Sequence, residues 1–457
     1  MNTPSRPTFG HRVLWAPVLA VLAILASLGL GDPAQGAVPH DPSPVSPARP
    51  AAPASSTLLR TPPQAQQTIS IRTYLPAVIA QAAAANYEAR ALWVTRYDWT
   101  TYGQVPRPEA IDTIVARAAK AGFNMIFFQV RAHGDAYYTP GLEPWAARLT
   151  GTNGATLGQD PGWDPLARML ERAHARGLQV HAYINVYTAW LGTTAPPHTT
   201  PEHIFWAFSY MPGSNWAYWR QWDRNHHPMN LNTGYLWASP GVEFVEDHTV
   251  AVARDMVSRY PVDGLHLDLV RYAGADYSCD PRSEERYGRT CFSDWDYTGF
   301  QRSLVTHLVG RMDTEVRPLR PNLMLSAAVW WYPIDQWGFG CSEGYNDYYQ
   351  DSQAWLAAGL VDAVAPMLYG CPALEDLGNW TAVVRDFQAH SAGRYVLPGI
   401  SAEVNSFSAI AERIAAARAA GATGQALFSY TSLNAHNYWD DLANGPYAQP
   451  AAPPPIP

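Results

Sequence analysis

Short apolar runs with alternating faces recur along the chain and are separated by stretches with helical spacing. The clearest run is "VDGLHLDLVRYAG", Val262 to Gly274. Leu265, Leu267 and Leu269 alternate as the apolar face of a strand should, while His266 and Asp268 occupy the other face and Arg271 follows. Seven more runs read as strands: Ala91–Tyr97, Asn124–Arg131, Gln179–Tyr187, Leu323–Trp331, Ala363–Gly370, Tyr395–Glu403 and Gln425–Tyr430. Between them lie amphipathic helices. Pro108 opens one, with a stripe of Ile111, Ile114, Val115 and Ala118 that ends at Gly122. Asp164 and Pro165 open another, with Leu166, Met169, Leu170 and Ala173 inside and Gly177 at its end. Val242, Val245, Val252 and Met256 fit a third helix, and Ile410, Ile414 and Ala417 a fourth, closed by Gly421.

Eight strand–helix repeats predict an α/β fold, a (β/α)8 TIM barrel. An open doubly wound sheet is the competing architecture. It is disfavoured because no G-x-G-x-x-G follows the first run. One connection breaks the rhythm: after the third run, Ala189–Pro240 carries Trp190, Trp206, Trp216, Trp219, Trp222 and Trp237. An insertion that long at the C-terminal end of a barrel strand suits a functional loop or a small Trp-rich subdomain. A mixture is expected, most of these tryptophans being structural.

The barrel is expected over residues 87–442. Before it, residues 1–36 hold basic residues, the apolar run Val13–Leu30 and the small residues Ala34–Gly36, a signal peptide or an uncleaved anchor. Residues 37–86 are rich in Pro and Ala and read as a disordered linker, and 443–457 as a disordered tail. Both readings of the leader place the domain outside the cytoplasm, secreted or associated with the cell envelope. Export makes the four cysteines candidates for two disulfides; Cys279 with Cys291 is the local choice, which leaves Cys341 with Cys371.

Composition narrows the partner. The net charge of −8 argues against nucleic acid, and 18 Trp with only 15% charged residues suits a neutral partner such as carbohydrate. Polar residues gather late in the runs, where a barrel builds its pocket. They are Arg96 and Asp98 after the first run; Gln129, Arg131 and Asp135 after the second; Tyr183, Asn185 and Tyr187 on one face of the third; and His266, Asp268 and Arg271 on the fourth. Trp330 and Trp331 close the fifth, Tyr369 the sixth and Glu403 the seventh. Individually many have a structural explanation, such as Arg131 pairing with Asp135; together they describe a lined pocket. No G-x-S-x-G, H-E-x-x-H or P-loop is present, and His133, His181 and His266 with Asp268 match no standard metal spacing, so no metal and no cofactor are expected.

At these residues the chain resembles the glycosyl-hydrolase-like family 10 proteins. "EARALWVTRYDW", "QVRAHGDAYYTPGLEPWAARLTG", "DPGWDPLARMLERAHARGLQVHAYINVY", "DGLHLDLVRY", "GLVDAVAPMLYG" and "LFSY" are similar to family stretches in the same order, across the whole barrel. Leu269 stands where many relatives place a second acid, Ala132 where a Pro is usual, and Met367 and Gly370 where Gln and Trp are usual. The resemblance implies an exported barrel that hydrolyses O-glycosidic bonds of a polysaccharide, including peptidoglycan glycan strands lacking stem peptides.

Such hydrolysis normally uses two carboxyl groups. Asp268 is the first candidate, pointing inward at a strand end with His266 below it and Arg271 near enough to bind substrate or hold a carboxylate ionised. Glu403 is the candidate for the second, with Asp135 next. The competing functions are a carbohydrate-binding barrel without catalysis and a metal-dependent polysaccharide deacetylase or hydrolase.

Overall fold

Alternation along the strands sorts the core into two apolar clusters. One packs Leu92, Val94, Ile126, Phe128, Val180, Ala182, Leu265, Leu267, Leu325 and Leu427 against the surrounding helices. The other lies inside the sheet, with Ala91, Trp93, Met125, Phe127, Tyr183, Met324, Ala365 and Ala426. A strand that is apolar on both faces belongs in a parallel sheet covered outside by helices and closed inside on itself. The computed structural model describes residues 86–457 apart from 152–153, 211–216 and 404. The expected leader, nearly all of the expected linker and Trp216 lie outside the described residues.

The main sheet is parallel throughout. Strands β1 (Ala89–Val94), β2 (Met125–Arg131) and β3 (Gln179–Asn185) are followed, after an excursion, by β6 (Gly264–Asp268), β7 (Met324–Val329) and β8 (Ala363–Pro366). The seventh run is split into β9 (Tyr395–Val396) and β10 (Gly399–Ser401), and β11 (Gly424–Phe428) is last. The hydrogen-bonded order is β10-β11-β1-β2-β3-β6-β7-β8-β9. Its two ends are therefore the two halves of one run. Between them Leu397 donates to the Val364 carbonyl at 2.9 Å and Ala426 donates to the Pro398 carbonyl at 3.1 Å, which closes the barrel. Pro398 has no N–H to give, so the strand breaks there while its carbonyl stays in use.

Helices Pro108–Ala121, Pro165–His174, Glu243–Arg259, Leu377–Ala389 and Phe407–Ala419 wrap the sheet. Their predicted punctuation is present. The Asp164 carboxylate caps the Ala167 N–H, and Gly122 ends the first helix at φ 89°. The insertion after β3 builds its own antiparallel ribbon, β4 (Thr188–Gly192) with β5 (Asn232–Trp237), and a short helix Ile204–Ser209. Trp219 is fully buried, and Trp190 and Trp237 nearly so.

The C-terminal tail departs from expectation. Its backbone pairs with the start of β1, Ala452 donating to Asn86 at 2.9 Å and accepting from Glu88 at 3.0 Å. Ile456 packs against the inner apolar cluster. A proline-rich segment supplies few donors but keeps its carbonyls, and Tyr395 uses that of Pro455 at 2.5 Å. The structured residues thus continue to Pro457. Both disulfides pair as expected, Cys279–Cys291 and Cys341–Cys371.

Candidate active site

Strand direction sets the floor of the site. His266 lies wholly inside the barrel, stacked on Phe127 at 4.0 Å and 8°. Its Nε2 accepts from the Trp93 indole at 3.2 Å, and its Nδ1 lies 2.9 Å from the Ser326 hydroxyl. An indole N–H only donates, so the imidazole is neutral with its proton on Nδ1. Burial, with His181 nearby, pushes its pKa well below the usual imidazole range. His133, His181 and His266 do not gather with Asp268 into a ligand cluster among the described residues.

Asp268 sits one pleat above, at the C-terminal end of β6 and opposite Asn185 of β3. Tyr183 donates its hydroxyl to Oδ2 at 2.7 Å, and the Leu269 N–H donates to Oδ1 at 2.7 Å. Burial raises the Asp268 pKa; those two donors and the Arg271 charge oppose it without cancelling it. Leu269 takes φ 51°, in the left-handed region that a branched residue rarely occupies. That turn ends the strand and aims the Leu269 N–H back at the carboxylate. Tyr369, stacked on Phe428 at 5.5 Å and 18°, is close enough for the Asp268 charge to raise its pKa further beyond the effect of burial.

A polar chain runs along the neighbouring strand ends. Arg96 donates through its backbone N–H and Nη1 to Gln129 Oε1, at 3.0 and 3.1 Å, and Gln129 Nε2 donates to Asn185 Oδ1 at 3.2 Å. Arg96 Nη2 also donates to the Tyr97 and Tyr235 hydroxyls. On the other side of Asp268, Arg271 meets Trp330, whose neighbour Trp331 shares its anchor. Both indoles donate to the Ser342 carbonyl, at 2.8 and 2.7 Å.

The structure reassigns several expected site residues. Arg131 does not pair with Asp135. It makes a buried two-pronged ion pair with Glu143, both contacts 2.8 Å, and Glu143 also takes His248 Nε2 at 3.0 Å. Arg131 and His248 hold Glu143 far below the ordinary carboxylate range despite its burial. Asp135 accepts from the Ala132 and His133 N–H groups and shapes that turn. Asp98 ties β1 to the segment after β11, through Thr95, Ser429 and the Thr431 N–H. Tyr187 lies in the outer core rather than on the barrel face, because the chain leaves β3 at Asn185 and its alternation with it. Glu403 lies just past β10, exposed, its carboxylate without a partner among the described residues.

Sequence reasoning also missed contributors. Trp93 and Ser326 occupy inward positions of β1 and β7, so strand alternation could have found them. Tyr348 and Ser342 reach Arg271 and Trp330 from loops, with no local signal, whereas Trp237 belongs to the Trp-rich insertion already singled out.

Residues 88–382 match the family described as glycosyl hydrolase-like 10. Glycosyl hydrolase DigH of Escherichia coli (strain K12) is 28% identical over 332 residues, covering 68% of this chain and 71% of its own. Glycosyl hydrolase YngK of Bacillus subtilis (strain 168) is 26% identical over 325 residues, covering 65% and 58%. In fold, the chain is similar to the PgaB (BpsB) glycoside hydrolase domain from Bordetella bronchiseptica, with TM-score 0.50, 14% identity, and 78% of this chain and 99% of that one covered. It is also similar to the catalytic domain of beta-amylase from Paenibacillus polymyxa, with TM-score 0.50, 10% identity, and 76% and 94% covered.

Proposed function

The chain belongs to the glycosyl hydrolase-like 10 family and is a glycoside hydrolase, and from that premise we propose that it cleaves O-glycosidic bonds of a polysaccharide outside the cytoplasm, peptidoglycan glycan strands first. Asp268 is the proton donor to the leaving oxygen. The observation that carries this reading is its setting: a carboxyl at the C-terminal end of a barrel strand, its pKa raised by burial, held by Tyr183 and by its own neighbour's N–H. A raised pKa keeps the proton on the acid at pH values where an ordinary carboxylate has lost it.

Glu403 is the second carboxylate. Asp98 and Glu143 spend both oxygens on the protein's own backbone, hydroxyls, Arg131 and His248, and Asp135 Oδ1 takes two backbone N–H groups, whereas Glu403 leaves both of its oxygens for substrate or water. It follows β10, which β7 and β8 separate from β6 in the order of the closed sheet. The Arg96–Gln129–Asn185 chain offers polar groups to sugar hydroxyls, and Tyr183 and Tyr369 offer ring faces. Two disulfides support an oxidising compartment, and no helix of the described residues is long and apolar enough to cross a membrane.

The test is release of reducing ends from denuded glycan strands and from other polysaccharides. Asp268→Asn and Glu403→Gln are each expected to lower turnover on the order of 10²–10⁴-fold, with melting temperatures near that of the parent. Unchanged turnover in Asp268→Asn removes it from the mechanism. Binding by the parent chain without product from any polysaccharide would instead identify a carbohydrate-binding barrel.

A further inference from the structure

Arg271 follows Asp268 by one turn of chain and is held by three rings. Its guanidinium carbon lies 4.5 Å from the Tyr348 ring centre, 4.9 Å from Trp330 and 5.1 Å from Trp237. The rings come from three separate segments of the chain. Trp330 is fixed by its bond to Ser342, so the cage is built in advance.

The hydrogen-bonding edge of Arg271 is poorly served. Nη1 donates to the Tyr272 carbonyl at 3.0 Å, and Nε is buried with no acceptor. No carboxylate among the described residues lies within ion-pair distance of it. Other buried arginines near the strand ends are better served: Arg131 is neutralised by Glu143, and Arg96, whose Nε is likewise unpaired, gives both Nη groups to Gln129 and two phenols. Asp268 acts on Arg271 through its charge but does not pair with it.

Ring faces replace part of the hydration a buried guanidinium loses, but they offer its N–H edge no acceptor. A planar carboxylate is the anion that matches this edge. It must arrive with the ligand. Arg271 follows Asp268 by three residues beyond the C-terminal end of β6 and feels its charge, so a ligand carboxylate held there would lie on the Asp268 side of the barrel mouth.

We propose that Arg271 recognises a carboxylate carried by the substrate, so that the subsite beside Asp268 selects an acidic sugar, a lactyl ether or a uronic acid, over a neutral one. The inference rests on the glycoside-hydrolase reading of this cleft and specifies its ligand. Arg271 acts as a specificity residue; the proton transfer stays with Asp268.

The experiment is a tryptophan-fluorescence titration of the whole chain with two probes, N-acetylglucosaminyl-N-acetylmuramic acid and its methyl ester, which differ in one negative charge. The parent chain should bind the acid about 10-fold or more tightly than the ester, a difference of about 1.4 kcal/mol. Arg271→Gln should bind both as weakly as the parent binds the ester. Arg271→Lys, which keeps the charge, should restore part of the preference, separating recognition from loss of fold. Equal binding of the two probes by the parent, a preference that survives in Arg271→Gln, or no binding of either probe overturns the proposal. Reducing-end release is read separately: preference without cleavage keeps the subsite and removes the enzymatic reading, and cleavage without preference does the reverse.

Discussion

The Tyr183 hydroxyl lies 2.7 Å from Asp268 Oδ2, so a phenol from β3 favours the ionised form of a carboxyl on β6. Hydrogen bonds to the ionised form lower a carboxyl pKa, while burial raises it and here prevails. Removing the phenol leaves burial less opposed. Tyr183→Phe should therefore move the alkaline limb of the kcat/KM–pH profile upward and lower the maximum about 10-fold or more, from a bond worth about 1.5–3 kcal/mol. Profiles of parent and variant on one polysaccharide check this. An unmoved limb would mean that Asp268 is not the group that must stay protonated.

Acid should destabilise the fold through histidines held neutral. His203 accepts from the Phe205 N–H at Nδ1 and faces the His133 carbonyl with Nε2, so its neutral form both caps a helix and donates. Burial lowers its pKa to about 4, His133 adding to the shift and Asp135 and Glu143 opposing it. Between about 6.5 and about 4 the unfolded chain binds a proton that the folded chain does not. Stability is thus present in full above 6.5 and falls with pH by about 1.4 kcal/mol per unit for this group. His203→Asn keeps a capping side chain that does not titrate. Melts of parent and variant from pH 7 to 5 should converge as the pH falls.

The strand skeleton was legible because its signal is local. Leu265 and Leu267 face the helices and His266 and Asp268 face inward, as alternation alone requires. Alternation fails where a strand ends, which is why Tyr187 was misplaced while Tyr183 and Asn185, four and two residues earlier, were not. Partners contributed by loops were invisible. Arg131 lies four residues from Asp135 in sequence, yet the chain turns so that Glu143 closes on it instead. The tail shows the same limit: its composition reads as unstructured, but its docking site on β1 and the inner core exists only in the folded barrel.

The Arg131–Glu143 pair is structural, and its loss should be severe. Both groups are buried, so removing one charge strands the other. Glu143→Gln should cost about 3–5 kcal/mol in urea unfolding. At temperatures where the variant remains folded, its KM should stay near the parent value, because neither residue reaches the Asp268 cleft. A raised KM with unchanged stability would return Arg131 to the substrate site.

The Cys341–Cys371 disulfide joins the loop after β7 to the loop after β8. Cys341 precedes Ser342, whose carbonyl anchors both Trp330 and Trp331, and Cys371 follows Tyr369 by two residues. The crosslink therefore fixes two walls of the cleft as well as the loop itself. Closing a loop of this size is worth about 3–4 kcal/mol, so Cys341→Ser with Cys371→Ser should lower the melting temperature. If the anchoring matters to binding, KM should rise severalfold at a temperature where the double variant is folded, with a smaller change in kcat, since Asp268 and Tyr183 lie on strands the disulfide does not touch. Kinetics and melts on the same preparation separate the two effects. A lower melting temperature with unchanged KM would confine the disulfide to stability and leave the indoles held by packing alone.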